Sequence, residues 1–215
     1  MKTHRILDLQ TVHELYPYPD PVHGFDHIER VYKLCQIIGK AEGADADILL
    51  TAALLHDCDG SDPTQNNRAE HHLLSAEKAG RILRDMEWTD EDIQKVQHCI
   101  RAHRFRQSEP PQTIEAKCLF DADKLDVIGA IGIARTIGYA VQAGEPIYFK
   151  PSSTFLETGT LSEGERHSVY HEYIFKLSKV QDTLYTESGR RLARGRNQFL
   201  ETFFNQLVDE VEGRR

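Results

Sequence analysis

The chain has 215 residues, enough for a sizeable core, and an ordinary globular composition of 40% hydrophobic and 28% charged residues. Its formal net charge of −8 argues against a surface built for nucleic-acid polymers or anionic membranes, while leaving room for a local basic pocket. No apolar run is long enough to span a membrane, and the opening MKTHRILDLQ is too polar for a secretory leader. Four separated cysteines (Cys35, Cys58, Cys99 and Cys118) form no C-x-x-C pair and read as small buried hydrophobes. The expectation is a reduced, cytoplasmic enzyme or binding protein.

The periodicity is helical throughout. From Asp26 onward His27, Val31, Leu34, Cys35 and Ile38 recur at helical steps, and Gly43 closes the segment. Asp45 is a candidate N-cap for a helix carrying Ile48, Leu49, Ala52, Ala53, Leu55 and His56. The polar loop DCDGSDPTQNN follows, then RAEHHLLSAEKAGRILRDM with Leu73, Ala76, Gly80 and Leu83 on one stripe. Thr89 to Asp92 form a capping pattern before Ile93, Val96, Ile100 and His103.

After the break at SEPPQT, the segment IEAKCLFDADKLDVIGAIGIARTIGYAVQAG predicts one long helix. Leu119, Asp123, Asp126, Ala130, Ile133 and Ile137 fall on a single face of it, with Gly129 and Gly132 offering a close approach to another helix. The expected organisation is a single all-α domain. It has a core at about 20–143, an irregular segment at about 144–164, and C-terminal helices at about 165–211.

Three apolar helix faces thus carry ionisable groups: His27, the pair His56–Asp57, and Asp123. Any one alone would read as a satisfied core histidine or a helix cap. Together they make a mixed nitrogen and oxygen set suited to Mn²⁺, Fe, Zn²⁺ or Mg²⁺, with positions left for water and substrate.

The ordered motifs HGFDHIERV, AALLHDCD and DADKLD resemble those of the HD superfamily of metal-dependent phosphohydrolases. HGxxHxxRV, DADKLDVIGAIGIAR and the later HEYIFKLSKV resemble a bacterial branch of small, uncharacterised or nucleotide-hydrolysing HD proteins. The resemblance implies an HD-domain helical bundle with additional C-terminal helices. It also implies His27, His56, Asp57 and Asp123 as ligands of a divalent ion, Mn²⁺ before Mg²⁺, Fe, Co²⁺, Ni²⁺ or Zn²⁺. A second ion, as in many HD proteins, would draw on His72 and His103.

Asp126 shares the predicted stripe and is a candidate either for accepting a hydrogen bond from a metal ligand or for positioning the attacking water; Asp57 and Lys124, which adjoins the ligand aspartate, are the other catalytic candidates. His103, Arg135, Lys176, Arg191 and Arg196 are candidate substrate contacts, the last two from the cluster RRLARGR. Asp59 stands two residues after the HD pair, where some relatives place an acid three residues after it; here that position is Gly60.

The expected activity is hydrolysis of a small phosphorylated substrate by metal-activated water, as a nucleotidase or a nucleoside triphosphate pyrophosphohydrolase. A phosphodiesterase for a cyclic or dinucleotide signal ranks lower, because the G-Y-P element of such family members is missing. A non-catalytic, metal-containing nucleotide-binding regulatory module and di-iron oxygenase chemistry complete the alternatives. No nucleic-acid polymer or membrane partner is expected, and a homodimer is allowed.

Overall fold

A computed structural model describes residues 7–16, 24–59, 70–104 and 109–215. It is built of helices, with no strand among the described residues. His23, which begins the first motif, and most of the polar loop after Asp57 lie outside the described residues. Contacts divide the chain into two compact units: residues up to Asp123 with Tyr185–Gly189, and Lys124–Leu184 with Arg190–Arg215.

The first unit begins with the short α1 (Leu9–His13) and α2 (Phe25–Glu42), which ends at Gly43 in the left-handed conformation, φ 72°. In α3 (Ala46–Leu55) the Asp45 carboxylate accepts from the amides of Asp47 and Ile48, as the sequence suggested. The helix is apolar on nearly every side, and Ile48, Leu49 and Ala52 to Leu55 are buried. Such a helix belongs inside its unit rather than on a surface, and α2 and α5 pack on it. Each fully buried leucine contributes about 1.5–3 kcal/mol to holding it there.

Helices α4 (His71–Asp85) and α5 (Asp90–Ala102) pack closely on each other. On α4 the buried stripe is His72, Ser75, Ala76, Ala79, Gly80 and Leu83, while Leu73 is exposed and lies off it, contrary to the sequence expectation. Thr89 caps α5 as expected, accepting from the Asp92 amide. α6 (Ile114–Leu125) is tied to the start of α3 by Glu115, whose carboxylate accepts from the Asp45 amide at 2.9 Å.

The long helix expected from residue 114 onward is two helices. α6 ends at Leu125, and α7 (Gly129–Gln142) starts after a turn closed by Val127 N to Lys124 O and Ile128 N to Leu125 O. The cause is local: Ile128 is extended and Gly129 has φ 74°, a left-handed conformation that glycine adopts without a Cβ penalty. A Cβ on Gly132 would collide with the Val127 carbonyl, so that glycine admits the turn's own backbone. The continuous stripe therefore breaks after Asp126, and Ala130 is exposed.

The second unit continues with α8 (Ser153–Thr158), a short helix inside the irregular segment, then α9 (Val169–Phe175), a 3-10 helix over Leu177–Thr183 and α10 (Glu187–Val211). The first residues of α10 belong to the first unit. Glu165 gathers the irregular segment: its carboxylate accepts from Ser152 N at 2.6 Å, Ser152 Oγ at 2.7 Å and Ser162 N at 2.7 Å, and lies 3.1 Å from His171 Nε2. Burial would raise the Glu165 pKa, but these hydrogen bonds outweigh it and hold it at about 2. Ring stacking of Tyr173 on Phe204 at 4.1 Å joins α9 to α10. All four cysteines are buried.

Candidate metal centre

Four segments of the first unit bring imidazoles to one carboxylate. His27 lies in the first turn of α2, and His56 is the C-cap of α3; both are buried. The His56 Nδ1 donates to Ala53 O at 2.8 Å, which leaves the Nε2 lone pair for a ligand. Burial pushes its pKa down to about 4, so the ring is neutral at neutral pH, as a ligand must be.

His56 Nε2 and His27 Nε2 stand 3.3 Å apart. Two nitrogens each about 2.1 Å from a common ion are separated by roughly 3.0–3.4 Å, so the spacing fits shared coordination. Asp123 Oδ1 is 3.4 Å from His27 Nε2, and Asp57 Oδ2 is 3.8 Å from His56 Nε2 and 3.9 Å from His27 Nε2.

Asp57 is the hub. Burial would raise its pKa, but the imidazoles of His56, His103 and His71 outweigh that and hold it well below the usual carboxylate range. Its Oδ1 takes no hydrogen bond, though His71 Nε2 and His103 Nε2 each lie 3.5 Å away. A buried carboxylate oxygen in that state is costly without a cation. The residues present fit a divalent ion. His27, His56 and Asp57 have ligand atoms all within 4.8 Å of one another, and so do Asp57, His71 and His103.

The second group contains His71, where the sequence named its neighbour His72. His72 is buried, its ring centroid 5.7 Å from that of His71. His103, the C-cap of α5, donates its Nδ1 to Ile100 O at 2.6 Å, which turns Nε2 toward Asp57.

Of the two acids flanking Ala122, Asp123 joins the histidines. Asp121 is fully buried and accepts from Tyr185 N at 2.9 Å, Thr186 N at 2.7 Å and Thr186 Oγ at 2.6 Å. Sequence reasoning gave Asp121 no role. Its partners are more than sixty positions away, so no local signal marked them.

Lys124 follows Asp123 on α6 and is partly exposed. In the second unit Asp126 is buried and pairs with Arg135 at 2.6 Å. Arg135 also donates to Asp126 O at 3.3 Å, while the Arg196 guanidinium donates to Leu125 O and its stem packs on Gly129. Both arginines thus satisfy carbonyls where α6 ends, a position that favours cations. Lys176 pairs with Glu172 at 2.7 Å, and Arg191 is exposed on α10.

A helical unit with histidines and aspartates gathered at helix ends defines a class, and comparison with known proteins gives the same answer. Residues 24–128 match the HD domain family, and the chain belongs to the HD superfamily. It is 32% identical to the Bacillus subtilis protein YpgQ over 195 residues, 89% of this chain and 85% of that one. The crystal structure of YpgQ in complex with ADP superposes with a TM-score of 0.72 at 29% identity, covering 96% of this chain and 99% of YpgQ. An HD-superfamily hydrolase from Bacillus thuringiensis gives a TM-score of 0.70 at 25% identity, covering 95% and 93%.

Proposed function

We propose that this protein is a metal-dependent phosphohydrolase acting on a nucleotide. The observation that carries it is the Asp57 carboxylate, set among the imidazoles of His27, His56, His71 and His103, with its buried Oδ1 taking no hydrogen bond and with the His27 and His56 Nε2 atoms 3.3 Å apart beside it. A divalent ion held by His27, His56, Asp57 and Asp123 would supply a water of lowered pKa and a Lewis acid for a phosphoryl oxygen.

The chain's own residues prepare that chemistry. The backbone carbonyls of Ala53 and Ile100 hold the His56 and His103 rings in one tautomer and one orientation. The low pKa of Asp57 keeps it anionic at neutral pH, so no proton competes for its oxygens. His71 is about one-fifth exposed, the most accessible of the imidazoles around Asp57, and suits contact with a phosphoryl group or a second ion. Lys124 and Arg191 are the candidate cations for phosphate charge. Arg135, Arg196 and Lys176 remain candidate substrate contacts from the sequence, each already holding the partner described above. The nucleotide preference is supported by the ADP complex of YpgQ, and Mn²⁺ suits the mixed imidazole and carboxylate set.

The test is a phosphoester panel of mono-, di- and triphosphates and cyclic nucleotides, with Mn²⁺, Mg²⁺, Co²⁺, Fe²⁺, Ni²⁺ and Zn²⁺ supplied in turn to chelator-stripped protein. Release of phosphate or pyrophosphate is expected with Mn²⁺, and Asp123→Ala should lose ion and activity together, by more than about a hundredfold. Silence across the panel would sink the hydrolase reading. Tight nucleotide binding by Asp123→Ala without turnover in the parent would point to a regulatory module.

A further inference from the structure

Hydrogen bonds hold the backbone on both sides of Asp57, and two of the groups that make them come from α4. At the end of α3, Ala53 O accepts from His56 Nδ1 at 2.8 Å, Leu54 O from the Tyr16 hydroxyl at 2.7 Å, and Leu55 O from Cys58 N at 3.3 Å. Cys58 O accepts from Lys78 Nζ at 2.7 Å. The Ser75 hydroxyl makes a reciprocal pair with Asp59, accepting from its amide and donating to its carbonyl, both at 3.1 Å. Ser75 is fully buried. Carbonyls at a helix C-terminus need donors from outside the helix, and here they have them on both sides of Asp57. On the side chain between them, the buried Asp57 Oδ1 takes no hydrogen bond.

We propose that Ser75 and Lys78 are positioning residues that clamp Cys58 and Asp59 to α4, and so set the Asp57 carboxylate for a divalent ion. The inference rests on the proposed metal site. α4 also carries His71, one turn before Ser75, with its Nε2 3.5 Å from Asp57 Oδ1. One helix therefore holds both the turn that carries Asp57 and an imidazole facing the same carboxylate. Gln97 of α5, the helix that ends at His103, donates to Ala76 O at 2.9 Å and keeps the neighbouring helix in step. Without the clamp, Asp57 would hang from a chain free to turn after the α3 cap, and its oxygens would no longer meet the ion with fixed geometry. This gives the two residues after the HD pair a use: they are the handles by which α4 grips the turn.

The experiment measures Mn²⁺ affinity by titration calorimetry on chelator-stripped full-length protein, with Tm and the steady-state constants on the best substrate of the panel. Ser75→Ala and Lys78→Met should each weaken Mn²⁺ about tenfold or more, the range seen when groups orienting a metal ligand are removed. Both should lower kcat at saturating substrate while leaving KM nearly unchanged, and Lys78→Arg should recover most of the Mn²⁺ affinity. Unchanged Mn²⁺ affinity in folded variants overturns the inference, even where Tm falls, because the contacts would then be structural alone. If Ser75→Ala does not fold, the Lys78→Met and Lys78→Arg pair at a partly exposed position decides the matter. Weakened Mn²⁺ binding in a protein inactive on every substrate supports the clamp and overturns the phosphohydrolase reading instead. A parent protein that binds no divalent ion overturns both.

Discussion

A histidine whose Nδ1 is committed to a backbone carbonyl can offer only Nε2, and His56 and His103 share that arrangement. Burial lowers the His56 pKa from the ordinary 6.5 to about 4. The unfolded chain therefore binds more protons than the folded one between those values. In the ion-free protein this makes stability fullest above pH 6.5 and declining as pH falls toward 4, with roughly 2 kcal/mol lost between pH 7 and 5. Urea midpoints in chelator across that interval should show the loss, and His56→Gln should flatten it. At this scale the sequence marked His27, His56, Asp57 and Asp123 because each is an ionisable group on an otherwise apolar helix. For a second ion it took His72 over its neighbour His71. They begin α4, whose N-cap residue Glu70 makes no side-chain capping bond, and adjacent positions on a helix point about 100° apart.

Among the elements, α6 shows how two acids two residues apart serve different ends. Asp123 turns to the histidines, while Asp121 fastens the start of α10 through two amides and the Thr186 hydroxyl. That hydroxyl in turn accepts from Gly189 N at 2.9 Å, so the carboxylate is linked to the first turn of α10. Asp121→Ala would strip buried donors of their acceptor and should cost about 3 kcal/mol, read from denaturant melts. Gly189→Ala should be damaging for a different reason: its Cβ would run into the Asp121 carboxylate and lie 2.9 Å from Thr186 Oγ. Asp121→Asn keeps an acceptor and should recover part of the loss. Helical spacing put Asp123 and Asp126 on one stripe, yet Asp126 lies beyond the end of α6 and pairs with Arg135. The break was written in the glycines of VIGAIG, which a periodicity count treats as neutral.

For the whole molecule, the all-α class was legible because helical periodicity and caps such as Asp45 and Thr89 are local properties of the chain. The clamp from Ser75 and Lys78 and the fastening by Asp121 were not legible, since they join residues sixteen to sixty-five positions apart through backbone groups that carry no side-chain signature. Burial also shapes the cysteines. It raises the thiol pKa of Cys58, Cys99 and Cys118 to about 12 and that of Cys35 well above its ordinary value. A thiol both shielded and protonated does not attack, so the folded protein should be nearly inert to Ellman's reagent at pH 8, with four equivalents appearing only in denaturant. The labelling rate of the native chain then becomes a stopwatch for its opening. Mn²⁺ at about a hundred times its Kd should slow that clock by about a hundredfold where the same opening releases the ion. A dye placed on an engineered surface cysteine should therefore report on its own site alone, with the natural thiols left in place.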